Sequence, residues 1–140
     1  MVQRSLTSIV KRIEGQLDNV KTIFLQKIAT TLVSFSPVDT GAYVTSHSIT
    51  DRSGNGRSRT SHGKSKRQDK TAKGVEALTQ LMGDIAALSK NETKTYIANR
   101  SPHSKYVENG SPTIDARLVY TQTRLMAPTL LAAAIQEAKQ

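Results

Sequence analysis

Three histidines, His47, His62 and His103, and eleven carboxylates are the side chains here with acid–base or metal-binding chemistry to offer. No two of the histidines stand at a helical ligand spacing, and none lies beside a pair of carboxylates in sequence. Surface or strand-face histidines are the expectation, without a metal centre. Cysteine is absent, which removes disulfides, thiolate nucleophiles and Cys-bound zinc. Asp39 and Glu108 could meet in the fold, and two carboxylates can share acid–base work, as in a small hydrolase. The stronger expectation is structural: Asp39 accepts backbone N–H bonds in a turn, and Glu108 pairs with a basic neighbour. Gly54-Asn55-Gly56 and His62-Gly63-Lys64-Ser65 have the composition of phosphate loops. Neither follows an apolar strand or opens a helix at the right offset. The expectation is a protein that is not an enzyme, with no catalytic, cofactor or metal site.

Charge is the other source of reach. Between Asp51 and Lys73 stand Arg52, Arg57, Arg59, Lys64, Lys66, Arg67, Lys70 and Lys73 against Asp51 and Asp69, which is +6 of the chain's +9. A chain segment this basic attracts phosphates or an acidic protein surface, with an affinity that falls as salt rises. It carries no aromatic residue to stack on bases, so any nucleic-acid contact through 52–73 would be to the backbone and not sequence-specific. The stretch from Asp51 to about Gln68 also lacks any apolar side chain whose burial would offset its ordering entropy, so a mobile loop is expected there.

The elements that must position these groups follow from hydrophobic spacing. Leu6, Ile9, Val10, Ile13, Leu17, Val20, Ile23, Phe24, Ile28, Leu32 and Phe35 repeat at three and four. That is one stripe of an amphipathic helix from about Gln3 to Ser34, roughly 48 Å long. The steps are nearly heptad and also suit a coiled-coil seam. Pro37 ends the helix at Ser36. Thr40-Gly41 makes a turn, and Ala42–Thr50 alternates as a strand with Tyr43, Thr45, His47 and Ile49 on one face. A second helix resumes at Asp69 or Thr71 and carries Val75, Leu78, Leu81, Met82, Ile85 and Leu88, with Asn91 as its end. Thr93–Asn99 reads as another strand, broken by Ser101-Pro102. Ser104–Gly110 is a short turn-bounded element, and Arg117–Arg124 a third strand or extended arm. Pro128 is placed as the first residue of a last helix. Together these predict one α+β domain over residues 1–140, with a small antiparallel sheet flanked by helices. With 36% apolar and 4% aromatic residues the core must be thin, so partner subunits are expected to supply part of the burial. No apolar run reaches the ~20 residues of a membrane span, and the N-terminus lacks a signal-like apolar core. A soluble chain of intracellular origin is expected.

Two short stretches carry a resemblance. Pro37, Asp39, Thr40 and Gly41, followed by Tyr43 and Ser48-Ile49, resemble a P-x-D-T-G-x-L-x-x-S-I opening to a first strand. Tyr106, Val107, Glu108 and Gly110 resemble the end of a Y-x-x-Y-V-E-x-G motif, with Asn109 where an aromatic is common and Ser104-Lys105 departing from the usual lead-in. In this order, between a long first helix and a closing helix, they are similar to the tail-completion, or head–tail joining, minor tail proteins of tailed bacteriophages. The basic segment and the helix after it are less typical of that family. The resemblance implies a tail-terminator-like fold and a structural neck subunit in a closed homo-oligomeric ring. Its partners would be the head connector or adaptor and the tail tube or terminator, with non-specific contact to DNA in the channel as a further implication. Its place would be the virion, after synthesis in the host cytoplasm. In this reading the motif residues shape turns and do not catalyse. The rival reading is a free, non-sequence-specific nucleic-acid-binding protein that uses the basic segment.

Overall fold

A computed structural model of the chain describes residues 2–38, 42–51, 56–57, 70–88, 94–102, 104–112 and 115–139; for residues 2–14, 16 and 70 it describes the backbone alone. The order is α1 (Val2–Phe35), a 3-10 turn (Val44–Ser46), β1 (His47–Thr50), α2 (Lys70–Ala86), β2 (Tyr96–Asn99), α3 (Ser104–Asn109) and α4 (Val119–Ala138). This is an α+β fold. The strands β1 and β2 pair antiparallel, His47 opposite Asn99 and Thr50 opposite Tyr96.

Helix α1 organises the core because its apolar stripe is wide enough to bury two sides. Leu25 and Ala29 meet Ile49 of β1 and Leu81 and Ile85 of α2. One step round the helix, Ile28 and Leu32 meet Tyr43 and Val119, the latter at the start of α4. The helix closes where the sequence requires it. Both the backbone N–H and the hydroxyl of Ser36 donate to the Leu32 carbonyl, at 3.0 and 2.6 Å, and Pro37 follows. Further toward the N-terminus the stripe leaves the core: Leu17 is 63% exposed.

Two expectations are corrected. Residues 119–124 are not a strand or arm but the first turns of α4, and Pro128 lies inside that helix instead of opening it. The period-two look of RLVYTQTR hides a helical one, because the buried positions Val119, Thr123 and Ala134 include a threonine and a small residue. An interior proline costs a helix roughly 3 kcal/mol. Extensive packing of α4 along α1 offsets that cost here. The expected strand Ala42–Thr50 is a 3-10 turn for its first part and becomes extended only at His47. Ser46 explains the delay, since its hydroxyl donates to the Ala42 carbonyl at 2.6 Å and holds the turn. Most of the expected mobile loop, 52–55 and 58–68, and Asn91 lie outside the described residues.

Candidate functional site

His47 sits where α1, β1, β2 and α4 converge, and it is 1% exposed. Its Nε2 lies 2.7 Å from the Ser36 hydroxyl, and its Nδ1 lies 2.8 Å from the Tyr120 hydroxyl. Asn99 of β2 donates to the Tyr43 carbonyl at 2.7 Å and approaches Nδ1 at 3.3 Å. Proton directions follow from the end of the chain. Ser36 has one hydroxyl proton, and the Leu32 carbonyl takes it. The Ser36 oxygen therefore accepts from Nε2–H, leaving Nδ1 to accept from Tyr120 and Asn99. The imidazole is neutral and its acceptor nitrogen is filled. Burial, aided by the Arg57 charge, pushes its pKa down to about 3. A serine activated for attack would donate to the histidine; here the donation runs the other way, so the arrangement pins four elements together. Tyr43 packs edge-on against the same ring at 5.1 Å. Burial and the Glu108 charge raise the Tyr43 phenol, and burial with Tyr43 and Glu108 raises that of Tyr120.

A second node ties the basic segment to the body. Arg57 Nη1 donates to Asp84 Oδ1 of α2 at 3.0 Å, and Nη2 reaches Oδ2 and also the His47 carbonyl at 2.9 Å. The same carboxylate accepts the Ile49 N–H at 3.0 Å, while the Arg57 N–H donates to Ser48 Oγ at 2.8 Å. Arg57 and Asp84 together occupy polar groups along β1. Gly56 passes so close to Ser48 and Arg100 that an added Cβ would stand 3.4 Å from each.

The third node is Glu108. At the C-terminal end of α3 its carboxylate accepts the N–H of Tyr120 at 2.9 Å, the N–H of Thr121 at 2.8 Å and the Thr121 hydroxyl at 2.9 Å. It thus satisfies donors that the first turn of α4 would leave unpaired, and its charge suits that helix end. Burial alone would raise its pKa; the bonds from Tyr120 and Thr121, with Arg124 nearby, outweigh it and hold the carboxyl low. The basic partner expected of Glu108 is thus secondary to a helix cap. Just before α4 the chain turns through Leu118 at φ 50°, the left-handed region a leucine rarely enters.

Of the motif residues, Pro37 follows α1, while Asp39, Thr40 and Gly41 lie outside the described residues, so their turn and any approach of Asp39 to Glu108 do too. Val107 packs against the cluster of Ile28, Leu32, Tyr43 and Val119. Tyr106 is 51% exposed. Gly110 ends α3 at φ 79° and donates to the Tyr106 carbonyl at 2.7 Å. Of the basic residues, Arg57 is clamped and Lys73 pairs with Glu76 at 3.0 Å. Lys70 opens α2, and Arg52, Arg59, Lys64, Lys66 and Arg67, like His62 and His103, lie outside the described residues. Sequence reasoning missed Ser36, Tyr120, Asn99 and Asp84 as polar partners. Asp84 left one signal: it falls in phase with the buried Ala77, Leu81 and Ile85 of α2.

Helix α4 buries one side and leaves large apolar side chains outward among polar ones. Val119, Thr123 and Ala134 are buried toward α1. On the outward side Leu125 is 76% exposed, and Leu131 and Ile135, like Leu118 just before the helix, remain about two-fifths exposed. Among the described residues no three His, Asp or Glu side chains gather to hold a metal, and no helix is long and apolar enough to cross a membrane. No family model, no curated protein and no solved structure matches this chain.

Proposed function

We propose that this chain is a structural subunit of a tailed-phage neck, joining the head connector to the tail as a member of, or attachment to, a ring. The observation that carries the reading is the exposure of Leu125, Leu131 and Ile135 on α4, large apolar side chains that suit a protein neighbour. The two motif stretches support it by what they do. Ser36, Tyr43 and His47 from the first, and Val107 and Glu108 from the second, converge on the start of α4 and hold that helix in place. Chemistry is directed at positioning a surface, as befits an assembly component of the virion. Its partners in this reading are further copies of itself, the connector or adaptor, and the tail tube or terminator.

The nucleic-acid reading keeps the charge of the segment 52–73 as its support, but Arg57 and Lys73 already have acidic partners within the chain. Sedimentation velocity with negative-stain microscopy on the purified chain tests the proposal. Closed rings at micromolar concentration, or incorporation into rings of a connector protein, are expected. A chain that stays monomeric, enters no ring and shifts duplex DNA in a salt-dependent way would overturn it.

A further inference from the structure

We propose that the open edge of β2 pairs antiparallel with β2 of a second copy, joining two small sheets into one of four strands. Bonds on β1 fix which groups are free. The Ile49 N–H turns to Asp84 and the His47 carbonyl to Arg57, both away from β2. Antiparallel pairs alternate, so Ser48 and Thr50 are the residues that bond across, to Ala98 and Tyr96. Ile97 and Asn99, opposite Ile49 and His47, therefore turn their N–H and carbonyl groups to the far side of β2. Among the described residues nothing bonds these four groups. The two edges of the sheet thus differ. Arg57 and Asp84 close that of β1, while that of β2 is a template for a further strand. It lies at the surface, with Lys94 and Arg100 exposed at its ends and Tyr96 37% exposed.

The edge is its own complement, which selects a second copy over a foreign strand. About a two-fold axis at Ala98, Ile97 faces Asn99 of the second copy, and Asn99 faces its Ile97. Each of these pairs exchanges two bonds, so all four free groups of each copy are used. The small Ala98 meets itself at the axis. Tyr96 comes beside Arg100 of the second copy, ring against guanidinium. Neighbouring registers fit less well. A two-fold axis at Ile97 sets Lys94 against Arg100 of the other copy twice. One at Asn99 calls on the Ser101 N–H, which Asn99 Oδ1 already holds at 2.9 Å. Two-stranded sheets are marginal alone and gain from further strands. A two-fold pair does not itself close a ring, so the inference stands apart from the neck reading and can hold or fail without it.

Residue-resolved amide hydrogen exchange by NMR on the full chain, with sedimentation equilibrium over the same concentrations, tests it. Where about nine-tenths of the chain is paired, the Ile97 and Asn99 amides should exchange about tenfold slower than in the dilute chain, because only the unpaired tenth exposes them. Tyr96→Lys, which sets a like charge beside Arg100 of the other copy, should weaken pairing about tenfold, there being two such contacts. Tyr96→Glu should strengthen it, by about threefold. The same exchanges at Tyr106, 51% exposed on α3, should leave pairing nearly unchanged, which separates the contact from overall charge. Dimers whose Ile97 and Asn99 amides keep the dilute rate would put the contact elsewhere and overturn the inference. So would a chain that stays monomeric at NMR concentrations, whatever its behaviour with a connector ring. Equal pairing by Tyr96→Lys and Tyr96→Glu would refute the register. Protection of both amides that arises only on adding a connector protein would mean that a foreign strand covers the edge, and the inference would fall while the assembly reading stood.

Discussion

Breaking the Arg57–Asp84 clamp should cost far more than its place in a basic segment suggests. In Asp84→Ala, Arg57 loses both guanidinium bonds to the carboxylate and the Ile49 N–H loses its acceptor. Removing one partner of a fully buried pair costs about 3–5 kcal/mol, because the other charge is left without compensation. Here the side chains are 26% and 17% exposed, so water repays part of the loss. About 2–3 kcal/mol is the expectation for Asp84→Ala. Arg57→Ala should cost somewhat less, since Ile49 keeps its acceptor. Against a stability of roughly 5–15 kcal/mol this is a large fraction, and it moves a urea midpoint by about 1–2 M. Urea unfolding followed by circular dichroism reads it. The double variant Arg57→Ala, Asp84→Ala closes a cycle whose coupling should exceed about 1 kcal/mol. Single-variant losses below about 0.5 kcal/mol, or additive losses, would refute the clamp and return Arg57 to the pool of partner-binding cations.

Acid should destabilise the fold through His47. Its unfolded pKa of 6.5 falls to about 3 in the fold, so between these values the unfolded chain binds the proton and the folded one does not. Stability is therefore complete above pH 6.5 and falls with pH at up to about 1.4 kcal/mol per unit, while His47→Gln flattens this slope in urea titrations from pH 7 to 5. Glu108→Ala should lower stability by about 1 kcal/mol through loss of the α4 cap, with Glu108→Gln intermediate, read as thermal midpoints. Leu118→Gly should raise stability by about 1 kcal/mol, because glycine enters the left-handed region without a Cβ clash; an unchanged or lower midpoint would contradict the strain. Pro128→Ala should also stabilise the isolated chain, by up to about 3 kcal/mol, with added helicity by circular dichroism.

What the sequence made legible was local. The end of α1 was readable because Pro37 punctuates an unbroken three-four stripe, and α2 because Leu78, Leu81 and Ile85 repeat cleanly. The two strands were readable from alternation, although Ser46 back-bonding shortened the first and their pairing came only with the fold. The start of α4 was not readable. Its buried side is Val119, Thr123 and Ala134, too polar and too small to show a period, and its cap, Glu108, stands eleven residues upstream of Val119. The His47 node joins Ser36 to Tyr120 and Asn99 across long loops, and no short pattern marks such a closure. Nor did the charge run show that Arg57 is held by an acid on α2. The leucines of α4 were visible, but only the packing of α1 distinguishes its covered side from the open one.

The central claim is that this chain works by assembling with proteins and not by binding nucleic acid. Native mass spectrometry of the purified chain, alone and with added duplex DNA at near-physiological salt, tests it most directly. The account predicts a closed oligomer, or a free subunit whose mass is indifferent to DNA. A monomer or dimer that takes up DNA stoichiometrically, and loses it when residues 52–67 are deleted, would contradict the account.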